Sequence, residues 1–416
     1  MKSWLLKAFW LNTWVSLLLI TVICQPETSS AQGFEFRGNR KKDALEFKLV
    51  KNLIIIPIYI NKKGPFNFIL DTGVSPMLVT DPTILEASDL KQVRTIKLTG
   101  LGKGNDVEAF ASNSLQVDIG KSNMQNIPAA ILKKDIFNLS NFLGIHVHGI
   151  IGYYFINSFL VKIKYSNQRL IFYKPGEKVK IKGEPIDIKL ILNKPYITAG
   201  ILAPTVGEIN AKLLMDSGAS NGLSLESYDG KLFPEPKKKI PANLGMGFSG
   251  LISGNIGRVQ KVKIGPFTLT DVIASYPDYN DGGAKATETG RNGSVGADLL
   301  RHFDLTIDYA NNKVYLKPNS NYKLPFEHDM SGLEVYIEEG KSNRFYVERI
   351  EPNSPGITAG ILVGDEIVSV NFNPVKTMDL ENIGNIFKSG DGRTVIVEVF
   401  RKSENIYKVL TLKKRI

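Results

Sequence analysis

The chain has 416 residues, a length that suits two or three domains. Hydrophobic residues make up 43% of it and charged residues 22%, which excludes a disordered or collagen-like protein and predicts sizeable buried cores. The net charge is +11, but the basic residues lie in short scattered runs such as 237–239, so we predict no nucleic-acid partner. Glycines and prolines are spread along the chain, which is typical of many short strands joined by turns.

Residues 1–31 have the three parts of a secretory signal peptide. Lys2 and Lys7 supply positive charge, residues 14–24 are apolar, and the small residues 29–31 suit a cleavage site. We therefore expect an exported protein, secreted or periplasmic, whose mature chain begins at Gln32. The apolar core is shorter than the ~20 residues that span a bilayer, which favours cleavage over anchoring. Membrane association is compatible with the sequence but not required.

The single cysteine, Cys24, lies inside this predicted signal. Its preceding residues, 21–23, are not the small ones that lipid attachment prefers. The mature chain is therefore expected to contain neither a disulfide nor a cysteine-based zinc site.

A short motif occurs twice in the chain. The apolar run 68–70 leads into Asp71-Thr72-Gly73, and the apolar run 213–215 leads into Asp216-Ser217-Gly218. One such triplet is typical of an ordinary turn after a strand. A second copy within the same chain indicates an internal repeat if other features recur in register.

Three further landmarks recur at nearly the same distance from each aspartate. Gly100 and Gly102 begin 29 positions after Asp71, and Gly245 and Gly247 begin 29 positions after Asp216. A Gly-x-x-Gly element begins 78 positions after Asp71 (149–152) and 77 positions after Asp216 (293–296). A tyrosine follows at 94 positions in the first copy, Tyr165, and at 93 positions in the second, Tyr309. We therefore predict two copies of one β-rich unit, residues 32–185 and 186–322, made of apolar or alternating strands such as 53–60 and 259–264.

A duplicated unit related by a pseudo-two-fold axis would bring Asp71 and Asp216 together at that axis. Two carboxylates at close range cannot both ionise cheaply, so the pair shares one proton. The ionised member would take a proton from water, and the protonated member would donate to the substrate carbonyl. This arrangement predicts hydrolysis in which water attacks and an amine leaves.

The residues beside the aspartates suit such a site. Gly73 and Gly218 would let the two loops approach closely, because they have no Cβ. The hydroxyls of Thr72 and Ser217 can bond to the opposite loop and hold the geometry of the pair.

The paired glycine segments suit hairpin tips that close over an extended peptide. Gly100, Gly102, Gly245 and Gly247 are therefore candidate flap and substrate-binding residues. Ordinary hairpins are the alternative interpretation of both segments.

Together these motifs resemble the aspartic proteases, and the bacterial retropepsin-like proteins more closely than the pepsins. The resemblance covers about residues 45–320. It implies a closed β-barrel-like lobe in each half, a cleft between the lobes, and a Gly-x-x-Gly element behind each active-site loop. It also implies endopeptidase activity without a metal or cofactor. The position after the triplet usually holds Ala, Ser or Thr in this family; Ala219 of the second copy fits this, whereas Val74 of the first copy departs from it. Val74 is the bulkier and would crowd the pair.

Residues 323–416 form a third predicted unit. Strands are expected at 346–350, 394–400 and 407–412 and a helix at 378–388. The pattern Ala-Gly-Ile-x-x-Gly-Asp-x-Ile at 359–367 resembles a PDZ domain over nearly the whole unit.

By this resemblance, the unit would add an extended peptide to a sheet edge. The peptide-binding residues would be Gly332, Leu333, Glu334 and Val335. Glu334 stands where a small residue is usual, which weakens the expectation that a terminal carboxylate binds there. A domain that only buttresses the second lobe is the alternative.

Two remaining patterns carry no prediction of a ligand. His146 and His148 could lie on one face of a strand leading into Gly149, but the sequence offers no evident third metal ligand. The segment 100–104 lacks the spacing of a phosphate loop.

We therefore predict a mainly β protein with two aspartic-protease-type lobes and a C-terminal PDZ domain. Its predicted activity is aspartic endopeptidase, with protein or peptide substrates and a peptide ligand for the PDZ domain. A catalytically inactive scaffold that binds peptides is the alternative.

Overall fold

A computed structural model describes residues 33–90, 93–98, 106–247, 250–278, 289–338 and 344–416. The described chain is mainly β, as predicted. The predicted signal peptide lies outside these residues. Within them, no helix has the length and apolar character needed to cross a membrane.

The first lobe is built from strands β1 to β12. Their apolar and alternating segments bury one or both faces; the strand predicted at 53–60 has that same extent, and all but two of its residues are buried. The bounds are β1 (Glu35–Phe36), β2 (Lys42–Glu46), β3 (Lys48–Val50), β4 (Leu53–Ile60), β5 (Lys63–Leu70), β6 (Met77–Val79), β7 (Arg94–Leu98), β8 (Val107–Ile119), β9 (Ser122–Leu132), β10 (Gly149–Ile151), β11 (Leu160–Lys164) and β12 (Arg169–Tyr173). Short helices α1 (Leu139–Leu143) and α2 (Tyr153–Asn157) flank β10.

The second lobe repeats this arrangement. In the first lobe β10 runs parallel to β5, and in the second β23 runs parallel to β16. The bounds are β13 (Glu184–Asp187), β14 (Lys189–Ile191), β15 (Lys194–Ala203), β16 (Gly207–Met215), β17 (Leu223–Leu225), β18 (Ser227–Tyr228), β19 (Lys231–Leu232), β20 (Lys239–Gly247), β21 (Gly250–Ile264), β22 (Phe267–Pro277), β23 (Gly293–Val295), β24 (Phe303–Asp308) and β25 (Lys313–Pro318), with helix α3 (Ala297–Leu300) after β23.

One sheet joins the two lobes. Its strand order is β13-β25-β24-β11-β12-β2, and β11 of the first lobe pairs antiparallel with β24 of the second. Tyr165 and Tyr309, the repeated tyrosines, begin equivalent 3-10 turns directly after these two strands. The largest hydrophobic cluster contains buried side chains from both lobes, so the lobes pack against each other. The predicted boundary at 185/186 falls inside β13.

The C-terminal unit has its own core. Its strands are β26 (Leu333–Glu338), β27 (Arg344–Ile350), β28 (Glu366–Val370), β29 (Asn373–Pro374), β30 (Thr394–Arg401) and β31 (Glu404–Thr411), and its helices are α4 (Pro355–Thr358) and α5 (Leu380–Phe387). The side chain of Asp379 caps α5 through the amide of Asn382, which sets the start of that helix. Met330 belongs to this core, whereas Phe326 packs into the core of the two lobes.

One local prediction is wrong. Residues 146–148 are not a strand; the strand begins at Gly149. Helix α1 ends at Leu143 and is capped by Gly144 at φ +71°, and at His148 the ring Nδ1 instead of a backbone carbonyl accepts the amide of Asn67.

Candidate active site

Asp71 and Asp216 each follow a buried strand. β5 ends at Leu70 and β16 ends at Met215, so each aspartate begins the loop that leaves its strand. The amide of Asp71 donates to the carbonyl of Ile151 at 2.9 Å, and that of Asp216 donates to the carbonyl of Val295 at 2.9 Å. Each loop is therefore held from behind by the Gly-x-x-Gly element of its own lobe.

Glycine is required in those elements because other backbone lies against them. A Cβ on Gly152 would sit 1.9 Å from the carbonyl oxygen of Asp71, and one on Gly293 would sit 1.9 Å from that of Ser224. Contacts this short leave no room for any side chain. The spacing of these glycines is thus a packing requirement of the site.

The two loops are tied together by crossed hydrogen bonds. The amide of Thr72 donates to the hydroxyl of Ser217 at 3.0 Å, and the amide of Ser217 donates to the hydroxyl of Thr72 at 3.0 Å. Each hydroxyl then donates across the interface, Thr72 to the carbonyl of Met215 at 2.6 Å and Ser217 to that of Leu70 at 2.9 Å. Both side chains are fully buried, so this network holds the aspartates in one geometry.

The structure brings the two carboxylates together. A Cβ on Gly218 would lie 2.3 Å from Cγ of Asp71, and one on Gly73 would lie 3.1 Å from Cγ of Asp216. The amides of Gly73 and Gly218 donate to Oδ1 of Asp71 and Asp216 at 2.6 and 3.0 Å. Both aspartates are half-buried, which leaves one side of the pair open.

The surroundings raise the pKa of Asp71 well above its usual value. Burial is the largest cause, the negative charge of Asp216 and a side-chain hydrogen bond with it add to the effect, and the amide of Gly73 opposes it. Asp71 is therefore the member of the pair suited to carry a proton when its partner is ionised.

Tyr309, one of the two repeated tyrosines, is buried and stacks on Tyr153 with ring centroids 6.3 Å apart. Its hydroxyl is buried and, among the described residues, has no hydrogen-bond partner. Burial, and secondarily the charge of Asp71, raises the pKa of Tyr309. The phenol therefore stays neutral.

Two asparagines that the sequence motifs did not indicate reach across between the lobes. The side-chain amide of Asn52 donates to the carbonyl of Ser220 at 3.0 Å, and that of Asn193 donates to the hydroxyl of Ser75 at 3.1 Å. Both asparagines lie in tight hairpin turns at positive φ, between β3 and β4 and between β14 and β15. Two hairpins with asparagine at the turn, each upstream of one triplet, are the signal that could have identified them.

The structure describes two of the four candidate flap residues, Gly245 and Gly247. Gly100 and Gly102 lie outside the described residues. Gly245 sits at a bulge near the end of the β20–β21 hairpin with φ +121°, and Gly247 pairs with Gly250 beside its tip. A Cβ on Gly245 would meet no atom of the described residues within 4 Å, so the space beside this glycine is open.

Val74 packs against the element behind the first loop. Its carbonyl accepts from the amide of Tyr153 at 3.0 Å, and its Cγ1 lies 2.9 Å from the position of a Cβ on Gly152.

The fold adds Asp81 to the histidine pair noted in the sequence. The ligand atoms of Asp81, His146 and His148 lie within 4.8 Å of one another. However, Nδ1 of His148 accepts from the amide of Asn67 at 3.1 Å, which places the ring proton on Nε2 in the neutral form. Burial acts to raise the pKa of Asp81, but hydrogen bonds from Thr83 and His146 outweigh it and hold that pKa below its usual value. The three side chains therefore form a hydrogen-bonded cluster.

The predicted peptide-binding residues lie at the start of β26. The amide of Gly332 donates to Oδ1 of Asp329 at 2.8 Å, and the amide of Leu333 donates to the hydroxyl of Ser331 at 3.0 Å. Glu334 pairs with Arg349 at 3.0 Å on the neighbouring strand. Two amides expected to meet a ligand carboxylate are thus already bonded within the chain. Val335 points into the domain core.

Comparison with known families agrees with this architecture. A family model described as aspartyl protease matches residues 56–155, the part of the first lobe that contains Asp71, β10 and Gly152. A family model described as PDZ domain matches residues 346–401. The second lobe repeats the loop geometry of the first. The chain therefore carries an aspartyl protease domain followed by a C-terminal PDZ domain.

Proposed function

We propose that the protein is an aspartic endopeptidase in which Asp71 and Asp216 activate water for attack on a peptide bond. The observation that carries the proposal is the crossed hydrogen bonding of Thr72 and Ser217, which supports two carboxylates at close range on a half-open surface. Protein or peptide substrates follow from the aspartyl protease and PDZ domains.

The raised pKa of Asp71 suggests how the roles divide at the start of the reaction. The carboxylate of Asp216 takes a proton from water while the carboxyl of Asp71 donates its proton to the carbonyl oxygen, and the oxygen of water bonds to the carbonyl carbon. The resulting gem-diol collapses as the C–N bond breaks. The leaving nitrogen takes the proton from Asp216, and a diol hydroxyl returns one to Asp71.

Digestion of a peptide library at several pH values tests the proposal. We expect reproducible cut sites with the mature chain and loss of all of them in Asp71→Asn and Asp216→Asn. Asp81→Asn is the matched control, because it makes the same change at a half-buried aspartate outside the pair and is expected to cut at the same sites. Full cleavage by either dyad variant would overturn the assignment, and peptide binding without cleavage at any pH would favour a scaffold.

We also propose that residues 1–31 direct export and are then removed. The charged start, apolar core and small residues before Gln32 support this. Expression of the full chain in a bacterial host, followed by N-terminal sequencing of the exported fraction, is expected to give Gln32 as the first residue. A product retained in the membrane with an intact Met1 would contradict it.

A further inference from the structure

One edge of the PDZ sheet lacks a strand partner. β26 is the terminal strand of its sheet, and among the described strands it pairs with β27 alone. Helix α5 begins beside it, and Ile337 of the strand and Leu380 of the helix line the groove between them. A peptide that adds to this sheet edge would have to lie in that groove.

The groove is already filled by the first lobe. A Cβ on Gly144, the residue that ends α1, would lie 2.9 Å from Cδ1 of Ile337 and 2.9 Å from Cδ1 of Leu380. The backbone of Gly144 therefore sits between the strand and the helix, and its φ of +71° turns the chain there.

Aromatic and charged contacts extend this docking along β26. The ring of Phe142 in α1 meets the ring of Tyr336 edge-on, with centroids 5.7 Å apart. Nζ of Lys51 lies 3.7 Å from the centroid of Phe142. Burial lowers the pKa of Lys51 to about 8, with Glu334 opposing the shift. The positive charge of Lys51 is attracted to the face of the half-buried Phe142 ring, and this attraction adds to the apolar contacts of α1.

The backbone amides just before β26, which would bind the terminal carboxylate of a ligand, are occupied by Asp329. Oδ1 of Asp329 accepts from the amides of Ser331 and Gly332 at 2.9 and 2.8 Å. A buried internal carboxylate thus takes the place that a ligand's C-terminus would need. A competing ligand is therefore expected to enter as an extended internal segment.

The docked helix also packs behind the proposed catalytic strand. Leu143 of α1 shares a buried cluster with Ile55 and Ile69, and Ile69 is two residues before Asp71. The chain then continues into β10, whose Ile151 accepts the amide of Asp71. Release of α1 from the groove would loosen this support.

We propose that α1 with Gly144 is the resident occupant of the PDZ groove, and that an extended peptide with apolar side chains binds β26 only by displacing it. Peptide binding and the packing behind Asp71 are then linked, and this consequence for activity rests on the proposed function. The displacement itself does not depend on it.

The test uses the full mature chain carrying Asp71→Asn, so that a probe is not digested and the result does not depend on activity. The probe is a pool of fluorescent, C-terminally amidated nonapeptides with alternating apolar and polar residues, measured by fluorescence polarisation. Adding Phe142→Ala is expected to strengthen binding about tenfold, because a larger fraction of molecules has an open groove. Val409→Ala, an exposed apolar residue of β31 at the opposite edge of the same sheet, is the matched control and is expected to leave binding unchanged.

A second variant keeps the test valid if Phe142→Ala lowers stability. Asn141→Ala removes a hydrogen bond to Tyr346 and is expected to act in the same direction with a smaller effect. Hydrogen exchange on adding the probe is expected to rise in 139–144 and fall in 333–338. Equal affinity in all variants, no binding to any of them, or protection of 333–338 without faster exchange in 139–144 would overturn the proposal.

Discussion

Thr72 and Ser217 each receive the other's backbone amide on a hydroxyl, both at 3.0 Å. The two residues lie in different lobes, 145 positions apart, and both are fully buried. A pair of reciprocal bonds fixes the distance and rotation between the loops. The aspartates beside them consequently share one environment.

Removing one hydroxyl should therefore cost stability as well as activity. In Ser217→Ala the amide of Thr72 and the carbonyl of Leu70 both lose their partner, and a buried unsatisfied group costs about 1–3 kcal/mol. We expect a lower urea midpoint and a lower kcat. Ser217→Thr keeps the hydroxyl and is expected to restore most of both. An unchanged midpoint in Ser217→Ala would show that the network is not structural.

The raised pKa of Asp71 predicts how stability depends on pH. A carboxyl whose pKa is higher in the folded state binds its proton more tightly there, so folding is favoured at low pH and this advantage is lost as pH rises through the folded pKa. Asp71→Asn has no carboxyl to ionise at this position, so its stability does not fall in this way as pH rises. We expect its melting temperature to exceed that of the natural chain at neutral pH and the difference to shrink toward pH 3. A constant difference at all pH values would argue against the shift.

The pH dependence of kcat/KM should report the same proton. If the pair must carry one shared proton, kcat/KM falls at high pH as that proton is released, with an apparent constant that belongs to the pair. Initial rates on one fluorogenic substrate across the pH range measure this limb. A rate that stays level to high pH would contradict a proton held by the pair.

The two inter-lobe asparagines provide a matched test. Asn52→Asp places a carboxylate against the carbonyl of Ser220, which has no proton to offer, whereas Asn193→Asp faces the hydroxyl of Ser75, which can donate. Aspartate tolerates the positive φ at both turns. We expect Asn52→Asp to lose about 1 kcal/mol or more of unfolding free energy, with reduced kcat, and Asn193→Asp to change little. Equal losses of unfolding free energy in the two variants would contradict this difference between the two acceptors.

The glycine behind the first loop should accept no side chain. Gly152→Ala places a methyl group 1.9 Å from the carbonyl oxygen of Asp71, so the loop must move or the protein must unfold. We expect loss of activity and a drop in melting temperature. Gly384→Ala lies in α5 with open space around its Cβ and is expected to be neutral or to stabilise by up to about 1 kcal/mol. Normal activity in Gly152→Ala would contradict the packing argument.

The architecture was largely readable from the sequence. Strand periodicity predicted β4 at its observed extent and the PDZ helix within two residues of its ends. The paired motifs at Asp71 and Asp216 were recognised because an internal repeat preserves spacing. Contacts between residues far apart were not readable in the same way. Asp81 carries no repeated signal, and the shared hairpin position of Asn52 and Asn193 does not reveal their partners, since these depend on how hairpins and loops from separate segments meet.

Sequence alone thus determined the strand content, the duplication and the identity of the two candidate aspartates, because these are properties of local pattern and register. Only the tertiary structure decided that Thr72 and Ser217 interlock, that Asp329 occupies the amides at the start of β26, and that Gly144 fills the PDZ groove. The physical reason is that each of these contacts joins surfaces whose approach depends on the docking of whole units. No local periodicity encodes that docking.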